Sequence, residues 1–162
     1  MELCDSLSVR DNVAMGWEGS RAGTNPVRHL LARPSDKDAM WAATQAAIDL
    51  CELTEVADRP AGALSTGQRR RVELARCLAG PFRILLLDEP SSGLDKVETD
   101  RFGEILRRVV DQRGVGILLV EHDMSLVMQI CEYIYVLDPP ARSTGPPTPT
   151  PTPAGSGART RR

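Results

Sequence analysis

Two short apolar runs separated by a long amphipathic stretch set the strongest limit on the fold of this chain. The runs cover residues 84–87 and 115–120, and each is followed by acidic residues. Between the runs, apolar side chains recur at helical spacing: Phe102, Ile105, Leu106, Val109 and Val110. Gly114 then marks the end of the predicted helix. This order predicts two parallel strands joined by a right-handed helical crossover.

A third apolar segment, YIYVLD at residues 133–138, follows a short helical pattern around residues 125–131. We therefore predict a third strand in the same parallel sheet. Because parallel strands connected by helices are usually covered on both faces, we expect this sheet to be buried on both faces. The predicted fold class is α/β, with a parallel sheet and packed helices.

The segment before the strands, residues 1–63, is predicted to be a helical subdomain. Ser8 is placed to cap a first helix, and residues 18–26 form a polar loop. Ser35 is placed to cap a second helix. One side of this second helix is apolar and consists of Met40, Ala43, Ala47, Leu50 and Cys51.

The composition divides the remainder into two parts, residues 64–138 and residues 139–162. The last part holds seven of the chain's twelve prolines, many of them alternating with threonine. A segment of this composition has too few apolar side chains to build a core, so we predict a disordered tail.

The stretch LSTGQRRRVELARCL, residues 64–78, predicts a helix with a well-defined start. Ser65 and Gln68 have the spacing of a capping box. The residues predicted to face the core are Val72, Ala75, Leu78 and Ala79. Three consecutive arginines occupy the first turns, where the helix dipole disfavours cations. Exposed amides, a glycine and surplus positive charge together suggest an anion-binding helix start, although a solvated helix face also accounts for some of the arginines.

Charge and cysteine content narrow the classes of function. The net charge of −2 provides no general attraction to nucleic acid, so we expect no nucleic-acid partner. Four widely spaced cysteines, without CxxC pairs, predict free thiols in a reducing compartment. The sequence contains neither an eighteen-residue apolar run nor a signal-peptide pattern. We therefore expect a soluble cytoplasmic protein.

Chemistry-bearing side chains follow the predicted strands at the points where the strands end. Asp88 and Glu89 follow the first strand, and Glu121 and His122 follow the second. Ligands of open parallel sheets bind beyond the carboxyl ends of the strands. Asp88 could hold Mg²⁺, Glu89 could activate a water molecule, and His122 could donate to a terminal phosphate. Each residue taken singly could instead be a helix cap or an ordinary surface residue.

Three ordered motifs resemble the ATP-binding-cassette (ABC) ATPases. They are LSTGQRRRVELARCL, ILLLDEPSSGLD and LLVEHD, which match the family's signature motif, its Walker B strand with the D-loop, and its switch histidine. The resemblance covers roughly residues 5–138. It implies a partial P-loop NTPase fold with a helical subdomain, and it implies ATP and Mg²⁺ as cofactors.

The resemblance also implies roles for individual residues. Ser65, Gly67 and Gln68 match the signature residues that contact the terminal phosphate of ATP held by the opposite subunit. Thr66 stands where the commonest signature has glycine. Asp88 matches the metal position, and Glu89 matches the water-activating base.

The remaining matches are Asp95 of the D-loop and the switch histidine, His122. Asp95 precedes the long predicted helix, so helix capping is an alternative role. The phrase VEHDMSLV resembles the importers of branched-chain amino acids. Partners implied by the family are a second ATPase subunit and integral membrane permease subunits, with the protein on the inner face of the plasma membrane.

One family element has no match in this sequence. A phosphate-binding loop ends in Gly-Lys-Ser or Gly-Lys-Thr, and its lysine neutralises the β- and γ-phosphates. Here no glycine precedes a lysine, because Lys37 follows Asp36 and Lys96 follows Asp95. The chain thus resembles the latter part of an ABC domain, and we expect its apolar strands to be partly uncovered.

Two functional hypotheses remain open. The first is an ATP-hydrolysing subunit of a transporter that imports branched-chain amino acids or similar polar solutes, with the isolated chain inactive because the phosphate loop is absent. The alternative is a non-hydrolytic binding or regulatory fragment that pairs with a full-length ABC ATPase. Family members that act in DNA repair or on ribosomes usually carry a second cassette or a coiled-coil insertion, and neither pattern occurs here.

Overall fold

The computed structural model describes residues 2–21 and 34–137. Five α-helices and two strands lie in these ranges, with two short 3₁₀ turns at Thr54–Val56 and Ala61–Ala63. The elements, in chain order, are α1 (Val9–Arg21), α2 (Pro34–Leu50), α3 (Thr66–Leu78), β1 (Ile84–Asp88), α4 (Lys96–Arg113), β2 (Gly116–Val120) and α5 (Met124–Ile130). The predicted tail at residues 139–162 lies outside the described residues.

The predicted β-α-β unit is confirmed. β1 and β2 pair in parallel, with Ile84 opposite Gly116 and Asp88 opposite Val120. The crossover helix α4 buries four of the five predicted core residues: Phe102, Ile105, Leu106 and Val109. Val110 is exposed, because its side chain lies about 100° around the helix from that of Val109. Gly114 ends α4 in the left-handed conformation, with φ of 60°.

The predictions for the sheet need two corrections. The segment 133–137 forms no strand, and its side chains at Tyr133, Tyr135, Val136 and Leu137 are at least 81% exposed. A strand exists only where its backbone finds a partner, and neither β1 nor β2 pairs with this segment. The sheet is also not buried on both faces, because one face is open to solvent. The residues of that open face are Ile84, Leu86, Leu118 and Val120, each 56–74% exposed.

The opposite face of the sheet packs on the core through Leu85, Leu87 and Ile117. Both faces of the sheet therefore carry apolar side chains, but only one face packs on the core and the other is in contact with solvent. This confirms the expectation that the apolar strands are partly uncovered.

The helical part before the strands is organised around α1, α2 and α3. Ser8 accepts a hydrogen bond from the backbone N–H of Asp11 at 3.0 Å, which confirms the predicted cap of α1. Helix α1 continues to Arg21, so the loop predicted at residues 18–26 is wrong for residues 18–21, and the rest of it lies outside the described residues. Helix α2 begins at Pro34, one residue before the predicted cap Ser35, because proline's fixed φ suits the first helical position.

Of the apolar side predicted for α2, Ala47 is fully buried, as is Cys51 directly after the helix. The other three predicted residues, Met40, Ala43 and Leu50, are half-buried. Thr44 and Ile48 lie on the same side and are also buried. Helix α1 approaches α3 so closely that a Cβ on Gly16 would lie 1.8 Å from the carbonyl oxygen of Arg76. Glycine is therefore required where these two helices cross.

Glu52, just after α2, ties three elements together. Its carboxylate accepts from Arg101 Nε at 2.6 Å and from Arg108, both on α4. Its backbone carbonyl accepts from Arg71 of α3 at 3.1 Å. Glu52 has a φ of 56°, a left-handed conformation that is rare for a residue with a side chain and is held here by these contacts.

Replacing the core residue Ile105 by alanine should destabilise the fold strongly. Ile105 is fully buried on α4, and Ile105→Ala should lower the free energy of unfolding by about 2–5 kcal/mol through lost burial and a residual cavity. Urea denaturation followed by tryptophan fluorescence measures this change. The control Val97→Ala, at an exposed position of the same helix, should change the stability by less than about 0.5 kcal/mol. Equal effects of the two substitutions would contradict the packing described.

The ion pairs of Glu52 predict a pH dependence of stability. Partial burial alone would raise its pKa, but hydrogen bonds and charge from Arg101 and Arg108 outweigh this effect and hold the pKa below the ordinary 4.5. Because the folded-state pKa is depressed, the stabilisation is present above the unfolded-state pKa. It is lost as the pH falls through the folded-state pKa.

We therefore expect the free energy of unfolding to fall more steeply below about pH 4.5 in the wild type than in Glu52→Gln. The matched control is Glu55→Gln, which alters an exposed carboxylate on the neighbouring 3₁₀ turn. This control should keep the wild-type slope. Parallel slopes for wild type and Glu52→Gln would contradict the prediction.

Candidate functional site

The pairing of β1 with β2 brings the predicted catalytic residues to one edge of the sheet. Because Asp88 lies opposite Val120, the segments that follow the two strands leave side by side. The backbone N–H of Glu89 donates to the Val120 carbonyl at 2.8 Å, which extends the ladder by one bond. Glu89 then turns the chain with a φ of 43°.

His122 lies between two carboxylates at this edge. Its Nδ1 is 3.6 Å from Glu89 Oε1 and 3.5 Å from Glu121 Oε2. The side chains of Glu89 and His122 are 57% and 73% exposed, so both are open to a ligand. Glu121, in contrast, has no exposed side-chain surface. The site therefore combines one exposed carboxylate, one exposed imidazole and one buried carboxylate.

The buried carboxylate of Glu121 is saturated with hydrogen bonds. It accepts from the backbone N–H groups of Ser91 at 3.0 Å, His122 at 2.8 Å and Asp123 at 3.2 Å, and also from the Ser91 hydroxyl. Burial would raise the pKa of Glu121, but these hydrogen bonds outweigh that effect and hold the pKa below its ordinary value. Glu121 is therefore ionised at neutral pH.

Asp88, the predicted metal position, ends β1 with an exposed side chain. Within residues 2–21 and 34–137, no group of three or more acidic, histidine or cysteine side chains is arranged to hold a metal ion. Mg²⁺ is commonly held by one or two carboxylates together with water and substrate phosphates. A single exposed carboxylate fits that pattern as one ligand among several.

The capping box predicted for α3 is confirmed. The Ser65 hydroxyl accepts from the Gln68 N–H at 3.2 Å, and the Gln68 side-chain oxygen accepts from the Ser65 N–H at 3.1 Å. The predicted buried face is confirmed at Val72, Ala75, Leu78 and Ala79.

The start of α3 lies against the first turn of α4. Ser65 Oγ is 3.4 Å from Glu98 Oε1. Gly67 is buried, and a Cβ at this position would lie 2.4 Å from the same carboxylate oxygen. A side chain at position 67 would therefore displace the Glu98 carboxylate from its place beside Ser65.

The three arginines of α3 bind carboxylates and carbonyls of their own chain. Arg69 donates to Asp5 at 2.7 Å, Arg70 donates to Glu73 at 3.0 Å, and Arg71 contacts Glu52. Arg69 and Arg70 each pair with a carboxylate, whereas Arg71 shares the Glu52 carboxylate with Arg101 and Arg108. The positive charge at the start of α3 is thus partly balanced within the fold. The interpretation that these arginines await an external anion is not needed to explain them.

Asp95 caps α4. Its side chain accepts from the Glu98 N–H at 2.8 Å, and the preceding turn contains Gly93 with a φ of 80°. The capping role that the sequence allowed for Asp95 is confirmed.

The predicted residues fall into two groups. Glu89 and His122 meet at the strand ends, whereas Ser65, Gly67 and Gln68 lie at the start of α3. In the part of the chain that the structure describes, no hydrogen bond or ion pair joins the two groups.

Sequence reasoning did not identify two residues of this region. Glu98 of α4 contacts the start of α3, and Ser91 binds Glu121. Ser91 is among the few buried polar residues of the described chain. The sequence signal that could have identified Ser91 is its place in the polar stretch PSSG directly after Glu89.

Comparisons with known proteins agree with this architecture. The family model described as "ABC transporter" matches residues 1–92. The high-affinity branched-chain amino acid transport ATP-binding protein BraF of Pseudomonas aeruginosa is 43% identical over 106 residues, covering 65% of this chain and 41% of that protein. The corresponding protein LivG of Escherichia coli K12 is 39% identical over 141 residues, covering 85% of this chain and 55% of that protein.

A solved structure, an inward-facing conformation of a metal-chelate type ABC transporter, aligns with a TM-score of 0.66 at 28% identity. The alignment covers 80% of this chain and 49% of that one. The chain spans about half the length of the curated relatives it matches. In residues 2–21 and 34–137, no helix has the length and apolar character required to cross a membrane.

The predicted fold class and the resemblance stated from the three motifs are thus confirmed. The family model accounts for more than half of the chain, and 80% of the chain aligns with a solved ABC transporter structure. The chain belongs to the ABC transporter family.

Proposed function

We propose that this chain is part of an ATP-binding subunit of a transporter that imports branched-chain amino acids or similar polar solutes. Support comes from 43% and 39% identity to proteins named for that transport, and from the phrase VEHDMSLV after β2. The observation that carries the chemistry is the meeting of Glu89 and His122 at one edge of the sheet, 3.6 Å apart.

Glu89 and His122 are proposed to act on the terminal phosphate of ATP. The exposed carboxylate of Glu89 can accept a proton from an attacking water molecule. The imidazole of His122 can donate a hydrogen bond to a phosphate oxygen, with nearby Glu89 and Glu121 balancing the charge of the protonated ring.

Asp88 is proposed as a ligand, direct or through water, of the Mg²⁺ that accompanies ATP. Its carboxylate is exposed at the end of β1, next to Glu89 in the chain. Bound Mg²⁺ neutralises phosphate charge, and its remaining ligands would be phosphate oxygens and water.

The start of α3 is proposed to bind the terminal phosphate of ATP held by a second subunit. Ser65, Gly67 and Gln68 lie at a helix N-terminus, where backbone N–H groups and the helix dipole favour anions. The Ser65 hydroxyl lies only 3.4 Å from Glu98, so a phosphate at this position would take the place of Glu98 as the acceptor. Asp95, as the cap of α4, is proposed to lie at the contact between subunits.

The partners follow from this arrangement. We propose that a second ABC ATPase subunit brings its own strand end or helix start to the same nucleotide, and that integral membrane permease subunits are the partners in transport. We propose that the permease holds the protein at the cytoplasmic face of the plasma membrane.

A second candidate function is a non-hydrolytic binding or regulatory fragment that pairs with a full-length ABC ATPase. The observation favouring it is that no glycine of the sequence precedes a lysine, so the lysine that neutralises the β- and γ-phosphates has no counterpart. In this case Ser65 completes a partner's site, while Asp88, Glu89 and His122 remain unused.

The isolated chain should release no phosphate from ATP and Mg²⁺ above the background rate. Hydrolysis requires a phosphate loop and Glu89 to act on the same nucleotide, and the sequence contains no Gly-Lys pair for such a loop. Glu89→Gln serves as the control for contaminating ATPases. Turnover by the wild-type chain that Glu89→Gln abolishes would contradict the prediction.

In a mixture with the intact Pseudomonas aeruginosa relative, the chain should lower the relative's ATPase rate in a saturable manner. One of the two sites of a mixed pair would lack the phosphate-loop lysine, so the rate should fall roughly twofold or more. The Ser65→Ala variant should lose potency in this assay, because it removes the hydroxyl proposed to contact the partner's nucleotide. No change of rate at a large excess of the wild-type chain would contradict both candidate functions.

Ser8→Ala is the matched control for Ser65→Ala. Both serines accept a hydrogen bond from a backbone N–H in the first turn of a helix, so each substitution should cost about 1 kcal/mol of stability. Only Ser65 lies at the proposed phosphate contact. Ser8→Ala should therefore inhibit the relative as strongly as the wild-type chain does. An equal loss of inhibition in both variants would mean that Ser65→Ala acts only by destabilising its helix.

A further inference from the structure

We infer that Glu121 is a positioning residue, which links the segment after β1 to the segment after β2 and thereby sets the position of His122 relative to Glu89. Its role in nucleotide chemistry rests on the proposed function, but the link itself is a property of the folded chain. Glu121 is distinct from the residues proposed to touch the nucleotide, because its side chain has no exposed surface.

The first half of the link reaches the segment that follows β1. Glu121 Oε1 accepts from the Ser91 N–H at 3.0 Å and from the Ser91 hydroxyl. Ser91 is buried and lies two residues after Glu89. A carboxylate on β2's exit segment therefore anchors the backbone that carries the proposed base.

The second half of the link orders the segment that carries His122. Glu121 Oε2 accepts from the backbone N–H groups of His122 at 2.8 Å and Asp123 at 3.2 Å. Each carboxylate oxygen thus binds a different segment. Rotation of the Glu121 side chain would break bonds to both segments at once, so the two segments are held as one unit.

Burying an ionised carboxylate costs more free energy than burying an apolar side chain of the same size. Ionised groups lose hydration on burial, and only several hydrogen bonds recover that cost. An apolar side chain at position 121 would fill the same volume but would leave the N–H groups of Ser91, His122 and Asp123 without these acceptors. The choice of glutamate is therefore explained by the four donors that it collects.

Glu121 also lies close to the His122 ring. Glu121 Oε2 and Glu89 Oε1 both face Nδ1, at 3.5 and 3.6 Å. Two negative oxygens near one ring nitrogen favour a proton on that nitrogen. Nε2 is then the nitrogen that remains for a ligand, and it can donate to a phosphate oxygen when the ring carries a second proton.

The test measures both effects in the nucleotide-free chain by nuclear magnetic resonance. Amide hydrogen exchange of Ser91 reports the link between the segments. The ¹⁵N shifts of the His122 ring at a pH where the ring is neutral report which nitrogen carries the proton. The sequence has only two histidines, so His29 supplies an internal reference.

Glu121→Gln removes the charge and replaces one acceptor oxygen by a donor of similar size. We expect at least about tenfold faster exchange of the Ser91 amide, because a hydrogen bond to a charged group is lost. We also expect the His122 proton to move from Nδ1 toward Nε2. A general loss of stability would not by itself move the proton between the two ring nitrogens of His122. The ¹⁵N shifts of His29 serve as the reference for the His122 shifts.

Asp123→Asn is the matched control. Asp123 lies on the same segment and caps α5 by accepting from Ser125 at 2.8 Å, and its backbone N–H toward Glu121 is retained in the variant. The control should leave Ser91 exchange and the His122 tautomer unchanged. Unaltered Ser91 exchange and an unaltered tautomer in Glu121→Gln would overturn the proposal.

Ser91→Ala replaces Glu121→Gln as the test if the latter does not fold. It removes only the hydroxyl donor, and we expect faster exchange at position 91 with unchanged exchange at His122 and Asp123. Unchanged exchange at position 91 would overturn the link. Because no nucleotide is present, these outcomes are independent of whether the chain binds ATP, and a failure of the proposed function is recognised separately in the mixing assay.

Discussion

The in-register parallel pairing of β1 with β2 is the constraint on which the candidate site depends. Parallel strands need a long crossover, and α4 provides it by burying Phe102 and its neighbours against the core. Once Asp88 lies opposite Val120, the two exit segments leave the sheet side by side. A shift of the register by two residues would move His122 about 7 Å along the strand and away from Glu89.

The acidic residues of this chain divide into two classes that serve different purposes. Glu52 and Glu121 are held by several donors and connect separate elements of the fold. Glu89 and Asp88 are exposed at the strand end and are free to meet a ligand. The arginines of α3 also serve the fold rather than a ligand, because they bind groups of their own chain. The charge that shapes the fold is therefore largely separate from the charge available for chemistry.

The open face of the sheet distinguishes this chain from a fully covered α/β domain. Ile84, Leu86, Leu118 and Val120 form an apolar surface on neighbouring strands, while the opposite face packs on the core. Exposed apolar patches of this kind mark interaction surfaces or sites of aggregation. The chain also aligns with only about half of the solved ABC transporter chain, so that protein contains further polypeptide beyond the matched part.

The sequence by itself determined the features that arise from contacts between near neighbours in the chain. The capping box of Ser65 and Gln68, the cap at Asp95 and the end of α4 at Gly114 are all readable because their partners lie within four residues. The stripe of α4 and the two strands were likewise predictable from periodicity, which also placed Glu89 and His122 at the strand ends.

Only the tertiary structure decided the features that depend on distant partners. The segment after α5 is not a strand because neither β1 nor β2 pairs with it, whatever its apolar content. The arginines of α3 meet Asp5 and Glu52, which no local pattern indicates. Glu121 and Glu89 each follow a strand in the sequence, yet the Glu121 carboxylate is buried among four donors and the Glu89 carboxylate faces solvent. The physical reason is that burial and hydrogen bonding depend on which segments meet in space. The pattern of residues along one strand does not show which distant segments will meet it.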